Sequence, residues 1–239
     1  MPIPLNSKIM KFADDTAILT KSIKPQLAID KLEAAVNQIT HYFNIWRMKI
    51  NPSKCQILVF RRHKKFTPIT INIKINNQPI PIVNSVKYLG VYFDSQLLFK
   101  DHVTHALQKA IAAKIAINAL IHKKSKLSIN LKRRIYLMLI RPVLLYAVPV
   151  WATVYKTYRK KLQIFQNKLL RQITDSPWFV RNLQLHKDLK IKPIADEFLS
   201  TCHNFYSRIE HSEFSHIQEL INYDPTLEIA SKRPRAIFH

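Results

Sequence analysis

Two adjacent aspartates, Asp14 and Asp15, stand between two apolar runs near the start of the chain, residues 9–12 and 17–19. An acidic pair in this setting is typical of a tight β-hairpin that carries carboxylates at its tip. Hard cations such as Mg²⁺ bind carboxylate oxygens, so such a tip could hold magnesium for phosphoryl transfer. The alternative is a polar hairpin turn whose acids only face solvent.

The charge of the chain is strongly positive. Its 239 residues include 38 Lys and Arg against 15 Asp and Glu, a formal net charge of +23. An excess of this size points to a polyanionic partner, with nucleic acid first and a membrane surface as the weaker alternative. Because 47% of the residues are hydrophobic, we expect the charge to decorate a folded body rather than a disordered tail.

Much of this charge falls into four basic runs. Any one run is more often a solvated face than a contact, but four in a chain of charge +23 favour binding to a phosphate backbone without base readout. The predicted nucleic-acid-binding residues are Arg61, Arg62, Lys64 and Lys65; Lys123, Lys124 and Lys126; Lys132, Arg133 and Arg134; and Arg159, Lys160 and Lys161.

The composition also excludes several classes of protein. Gly90 is the only glycine, which excludes the glycine-rich phosphate loops of P-loop and Rossmann proteins. Two cysteines, Cys55 and Cys202, make no disulfide framework and suit a reducing compartment. The first residues lack the pattern of a signal peptide, and the most apolar stretch, residues 137–151, is too short to span a bilayer. We therefore expect an intracellular protein, in the nucleus or the cytoplasm, with no membrane partner.

The elements that must position the aspartates change in character along the chain. Residues 25–49 predict an amphipathic helix, residues 55–60 a strand, and the isoleucine alternation over 69–75 a further strand. Asn76-Asn77 is suited to a turn, prolines 79 and 81 mark an edge strand, and residues 86–94 predict another strand. The pattern is helical from Asp101 onward. The predicted fold class is α+β, with a β-rich part over 1–95, a helical part over 101–221 and a basic tail over 222–239.

Each of four predicted helices has an apolar face at helical spacing, and the second is expected to kink at Pro142. The residues predicted to face the core are Val103, Leu107, Ile111, Ile115 and Ile121 in the first helix; Leu131, Ile135, Met138 and Leu145 in the second; Tyr158, Leu162, Phe165, Leu169 and Ile173 in the third; and Ile194, Phe198, Cys202, Phe205 and Ile209 in the fourth.

The order of several short motifs resembles a known family. The sequence FADD at 12–15 is followed by a helix, then by INPSK at 50–54 and VKYLGV at 86–91. The stretches 136–151 and 162–189 extend the likeness, the latter through QNK at 166–168, SPW at 176–178 and Arg181-Asn182. Together these motifs resemble the C-terminal portion of the reverse transcriptases of jockey-like, insect-type non-LTR retrotransposons.

This resemblance implies an RNA-directed DNA polymerase that uses Mg²⁺, an RNA template, a DNA primer and dNTPs. It implies a partial palm sheet with a packed helix, followed by an α-helical thumb and C-terminal bundle. Asp14 and Asp15 match the catalytic, metal-binding pair, and Lys54 matches a lysine beside the incoming nucleotide. The turn Tyr88-Leu89-Gly90 matches the primer grip. An ordinary surface lysine, and an edge strand with one turn glycine, are the respective alternatives.

One departure from the family pattern limits what is expected of the chain. The family's palm carries a further catalytic aspartate well upstream of the pair, but none of the thirteen residues before Asp14 is Asp or Glu. Two adjacent acids cannot supply all the oxygen ligands of two magnesium ions. We therefore expect no primer extension by this chain alone. The alternative is a non-catalytic nucleic-acid-binding remnant of a degraded element.

Overall fold

The computed structural model describes Pro4 and residues 7–60 and 71–222. The chain divides into two compact units, Met1–Gly90 with Asp94–Gln96, and Val91–Phe93 with Leu97–His239. The described residues mix helices with short strands, which agrees with the predicted α+β class. The boundaries predicted at residues 95, 101 and 222 stay a prediction.

The first unit opens with a β-hairpin. Strands β1 (Ser7–Phe12) and β2 (Asp15–Thr20) pair antiparallel, with Phe12 opposite Asp15 at the turn. Ala13 takes a left-handed conformation, φ 52°, so that the chain can reverse within two residues. The hairpin predicted around the two aspartates is therefore present.

Helix α1 (Pro25–Ile45) follows the hairpin and begins with a proline in its first turn, where the missing N–H is not needed. It ends four residues before the predicted position 49. Arg47 has φ 52°, and the N–H of Met48 donates to the carbonyl of Phe43 at 2.8 Å, a C-terminal cap that closes the helix early.

The remaining strands of the first unit are short. Strand β3 (Ile57–Leu58) pairs parallel with β6 (Ile82–Val83), and β4 (Lys74–Ile75) pairs antiparallel with β5 (Gln78–Pro79). Their buried side chains form a small core with helix α1. Strand β7 (Ser85–Tyr88) is the last strand of this unit; β8 (Val91–Asp94), which follows after Leu89 and Gly90, belongs to the second unit except for Asp94. The buried members of the small core are Val36, Ile57, Ile73, Ile75 and Ile80.

The strand predicted over 69–75 is wrong for most of its described length. Only residues 74 and 75 are extended in a ladder, while 69 and 70 lie outside the described residues. Pro79 and Pro81 have no N–H to donate, so the hairpin continues by a single further bond, from the Ile80 N–H to the Ile73 carbonyl at 2.9 Å. The predicted turn at Asn76 and Asn77 is confirmed, since both have positive φ.

The second unit is a helical assembly around one large core. Trp151, Tyr136 and Phe198 are its largest fully buried side chains. No helix of the described residues is both long and apolar enough to cross a membrane. The helices are α2 (Lys100–Ala116), α3 (Asn118–Ile121), α4 (Ile129–Ile135), α5 (Arg141–Leu144), α6 (Lys156–Thr174), α7 (Asn182–Asp188), α8 (Ile194–Glu210) and α9 (Ser215–Gln218).

A π-helical turn, Tyr136–Ile140, joins α4 to α5. It ends two residues before Pro142, which cannot donate a backbone hydrogen bond and would crowd the preceding turn of a regular helix. The N–H of Arg141 donates instead to the carbonyl of Tyr136, five residues back. The wider turn accommodates the proline within a continuous helical run.

Several predicted core positions are wrong. Ile111 and Ile115 of α2, and Leu131 and Met138 of the next helical run, are exposed. In α8 the exposed side chain is Phe205, while the neighbouring Tyr206 is buried. The residues that are buried on these helices are His102, Val103, Ala106 and Ala110; Lys132, Tyr136, Ile140 and Leu144; and Ile194, Phe198, Cys202, Tyr206 and Ile209.

Candidate functional site

The carboxylates of Asp14 and Asp15 lie at the exposed tip of the β1–β2 hairpin. Asp14 belongs to the turn, and Asp15 opens β2. Within the described residues no group of three or more His, Cys, Asp or Glu side chains could hold a metal ion. Magnesium in phosphoryl-transfer sites is often held by one or two carboxylates together with substrate phosphates and water. The donor type of the pair fits Mg²⁺, and the pair supplies only part of a coordination shell.

Lys54 lies at the end of a short 3₁₀ turn, Pro52–Lys54, and its side chain is exposed. The side chain of Asn51 fixes this turn, because its Oδ1 accepts bonds from the backbone N–H and the Oγ of Ser53, at 3.1 and 2.7 Å. No ion pair joins Lys54 to Asp14 or Asp15 in the part of the chain that the structure describes. The lysine is therefore exposed to solvent and is not linked to the two acids by an ion pair, and its role beside a nucleotide stays a prediction.

The turn at Leu89 and Gly90 follows strand β7, which ends with Tyr88. Leu89 has φ 46° and Gly90 has φ 80°, two consecutive left-handed residues of which the second lacks a Cβ. Such a turn brings bare backbone to the surface at the glycine. Contact between this turn and a primer stays a prediction.

The four basic runs differ in what the structure shows. Arg61, Arg62, Lys64 and Lys65 lie outside the described residues. Lys123, Lys124 and Lys126 are exposed in the segment between α3 and α4, with Lys123 Nζ 4.0 Å from the Asp175 carboxylate. Their exposure leaves these three lysines able to reach a phosphate.

Lys132 requires a correction. It is only 4% exposed, and its Nζ donates to the His122 carbonyl at 2.9 Å, so it cannot contact a nucleic acid in this structure. The neighbouring Arg133 is also occupied, since its guanidinium donates to the carbonyls of Leu189 and Lys190. Arg134 is the exposed member of this run.

In the fourth run, two of the three cations lie over aromatic rings. The Arg159 guanidinium lies 5.3 Å from the centre of the Phe198 ring, and burial lowers the pKa of this arginine. Lys161 Nζ lies 5.4 Å from the centre of the Tyr158 ring and remains exposed, as does Lys160. Lys160 and Lys161 are the more accessible candidates for phosphate contact.

Comparison with known proteins connects these features. The model of the family "Reverse transcriptase (RNA-dependent DNA polymerase)" matches residues 2–93. A probable RNA-directed DNA polymerase from transposon X-element of Drosophila melanogaster is 30% identical over 230 residues, 96% of this chain. The RNA-directed DNA polymerase from mobile element jockey of the same fly is 29% identical over 233 residues, 95% of the chain. Over most of its length the chain is therefore similar to the jockey-like non-LTR reverse transcriptases.

The relationship covers a limited part of the longer proteins. The chain spans about a quarter of the length of the curated relatives it matches, 25% in each of these two cases. A jockey polymerase from Drosophila funebris is 31% identical over 203 residues, 84% of the chain and 22% of the relative. No solved structure matches the chain.

Sequence reasoning missed a buried polar network centred on Gln166. Its Nε2 donates to the Tyr136 hydroxyl at 2.9 Å and to the Lys192 carbonyl at 3.1 Å, while its Oε1 accepts the backbone N–H of Ile194 at 3.1 Å. Burial raises the pKa of Tyr136 to about 12, so this phenol stays neutral. The network joins α6 to the π turn and to the start of α8.

A signal for the network was present in the sequence. Gln166 stands on the buried line of α6, between Leu162 and Leu169, where an apolar residue would be expected. A polar residue in such a position must find hydrogen-bond partners on folding. Its partners are far away in sequence, so pattern alone could not name them.

Proposed function

We propose that this chain supplies the metal-binding aspartate pair of an RNA-directed DNA polymerase of the jockey-like non-LTR type. The observation that carries the proposal is the exposed hairpin tip with Asp14 and Asp15, within the segment that matches the reverse-transcriptase family. In this proposal the first unit is the end of a palm, and the helices of the second unit are a thumb and C-terminal region.

The chemistry follows from where the carboxylates lie. Mg²⁺, when bound, activates the primer hydroxyl and neutralises charge on the triphosphate. The exposed tip leaves the carboxylate oxygens of Asp14 and Asp15 open to a metal ion, to which a substrate phosphate would supply further oxygen ligands. The remaining carboxylate ligand would come from another part of the polymerase. Lys54 would offer a positive charge to the departing pyrophosphate.

The proposed partners are an RNA template, a DNA primer and a dNTP. The turn at Leu89 and Gly90 would lie against the primer backbone. The exposed lysines and arginines of the second unit would contact phosphates and not bases. Such a protein would act in the nucleus or the cytoplasm.

The role of the aspartate pair can be tested in a chimera. The matching quarter of the Drosophila melanogaster jockey polymerase is replaced by this chain, and Mg²⁺-dependent extension of a DNA primer on an RNA template is measured. D14N and D15N should each lower the extension rate by about a hundredfold or more, because a catalytic metal supplies several kcal/mol of transition-state stabilisation.

The matched control is D30N, which alters an exposed aspartate on α1 whose carboxylate accepts a bond from Gln26 Nε2 at 2.9 Å. We expect D30N to extend primers at the parental rate. Parental activity in D14N and D15N would refute the proposed metal role. A chimera that binds template–primer normally but never extends it would instead favour the non-catalytic binding function, which the charge of +23 also supports.

A further inference from the structure

We propose that two exposed aromatic residues of the second unit, Trp178 and Phe179, bind the bases of a single-stranded nucleic acid. They belong to the loop between α6 and α7, residues 175–181, here named the aromatic loop. This inference goes beyond the proposed function, which uses carboxylates and phosphate contacts but no base contact.

The exposure of these two rings is the first observation. Trp178 is 88% exposed and Phe179 is 68% exposed, although the same unit buries Trp151 completely. The two rings meet edge to face, with centroids 6.0 Å apart and planes at 81°. This arrangement leaves the indole faces in solvent, where a base could stack on them.

The aromatic loop is held in place by hydrogen bonds from a half-buried arginine rather than left free. The guanidinium of Arg171 donates to the carbonyls of Pro177 and Val180 and to Asn182 Oδ1, the last two at 2.8 and 2.9 Å. The Val180 N–H adds a bond to the Pro177 carbonyl at 3.2 Å. A platform that is already ordered loses little conformational entropy when a ligand binds.

A shallow open groove of about 280 Å³ lies beside the indole. Its volume is at the lower limit of small-molecule pockets, which enclose most of their ligand. A groove of this size suits one flat ring that remains attached to a chain outside. Its lining holds two cations and no acid: Ile164, Asn167, Lys168, Arg171, Trp178 and Asn182.

The surrounding charge selects a nucleic acid over a protein partner. Residues 156–192 carry ten Lys and Arg against two Asp and no Glu. One of these acids, Asp175, already lies 4.0 Å from Lys123, and the other, Asp188, accepts a bond from Gln184 at 2.6 Å. Exposed aromatic rings beside an excess of positive charge are the combination that binds single strands without sequence preference.

The test measures affinity by fluorescence anisotropy with three labelled ligands of equal length: oligo-U, oligo-dT and an abasic oligonucleotide. The wild-type chain should bind oligo-U and oligo-dT about tenfold more tightly than the abasic strand, as expected for one stacked base. W178A should lose most of the preference for bases, with only Phe179 left to stack, whereas W178F should keep most of it.

Two controls separate stacking from charge and from folding. W46A removes the exposed Trp46 of the first unit and should leave the preference for bases unchanged. Binding of an RNA–DNA duplex should be the same in W178A as in the wild type, because paired bases are not available for stacking. This arm also distinguishes the inference from the proposed function, whose duplex binding would survive its failure.

A wild-type chain without a preference for bases would overturn the proposal, as would a W178A variant that keeps it. If W178A does not fold, the tryptophan fluorescence of a W46F variant tests the same proposal. Since Trp151 is fully buried, the exposed emission then comes from Trp178. Oligo-U should quench this emission and the abasic strand should not; equal or absent quenching would overturn the proposal.

Discussion

His102 of α2 is a buried ionisable side chain that neither the proposed catalysis nor the basic surface uses. It is 3% exposed, its ring centroid lies 5.1 Å from that of Trp151, and its Nδ1 lies 3.5 Å from the backbone nitrogen of Tyr92. Burial lowers the pKa of His102 to about 4; the Tyr146 carbonyl opposes this shift, and the charges of Lys109 and His105 add to it. The imidazole is therefore neutral at physiological pH.

This histidine predicts a pH dependence of stability. Between pH 6.5, where an unfolded histidine titrates, and about pH 4, the unfolded chain binds a proton at this position and the folded chain does not. The free energy of unfolding should therefore fall by roughly 3 kcal/mol as the pH falls through this window. Urea unfolding at a series of pH values measures the loss, and H102N should remove this part of the slope.

The control for that experiment is H105N. His105 lies one helical turn away, is only half-buried and stacks on Tyr92 with a centroid distance of 4.0 Å. H105N should keep most of the pH dependence. An H102N variant with the full wild-type slope would show that other groups cause it.

The burial of Cys202 was predictable from the sequence. Cys202 was expected in the core because it falls on the apolar face of its helix, and it is fully buried in α8. Burial raises the pKa of this thiol to about 12, against a smaller opposing effect of Arg159. In contrast, the burial of Lys132 was not predictable, because a basic run on a helix does not reveal which side its neighbours cover.

At the scale of elements, local sequence patterns predicted the positions of turns and helices better than they predicted which face of a helix is buried. The hairpins at Asp14-Asp15 and at Asn76-Asn77 were found because a two-residue reversal depends on the conformation of the turn residues themselves. Helix α6 was also placed well, with Leu162, Leu169 and Ile173 buried as predicted.

The face of helix α2 could not be predicted for a physical reason. Its large apolar residues Ile111 and Ile115 are exposed, while Ala106 and Ala110 are buried. Small side chains let a neighbouring helix approach closely, so the packed face carries less hydrophobic bulk than the exposed one. Only the positions of the neighbouring elements decide such a case, and these are tertiary information.

The Gln166 network gives a prediction at this scale. Q166L would leave the Tyr136 hydroxyl, the Lys192 carbonyl and the Ile194 N–H without their buried partner. We expect the free energy of unfolding to fall by about 3 kcal/mol, since each buried unsatisfied group costs roughly 1–3 kcal/mol and Gln163 can compensate in part through its 2.7 Å bond to Ile194. Chemical denaturation measures the change.

The matched variant is Y136F, which removes the hydroxyl but leaves Gln166 with its backbone partners. It should cost about 1 kcal/mol, and the double variant Q166L/Y136F should be less destabilised than the sum of the two. Additive effects would indicate that the two side chains do not act as one network.

At the scale of the whole molecule, some of the cations that make up the charge of +23 are bound within the protein, and others are exposed to solvent. The guanidinium groups of Arg133 and Arg171 donate hydrogen bonds to backbone carbonyls within the second unit. The buried Lys132 also donates to a backbone carbonyl, that of His122. Formal charge therefore overstates the number of cations that can bind phosphate, and exposure must be read from the structure before a binding surface is counted.

This division of the cations predicts how binding to a template–primer duplex depends on salt. If about six phosphates are contacted, log K should fall against log salt with a slope near −5. Removal of one phosphate contact should reduce the slope by about 0.9.

Exposed Arg134 and buried Lys132 are neighbours in α4, so they form a matched pair in which only the first can contribute. R134A should make the slope less steep by about one, and K124A/K126A by about two. K132M should leave the slope unchanged and lower stability instead, because the His122 carbonyl loses its 2.9 Å donor. A slope near zero would remove the polyanion-binding role of the charge, and a K132M slope that changed as much as that of R134A would contradict the burial of Lys132.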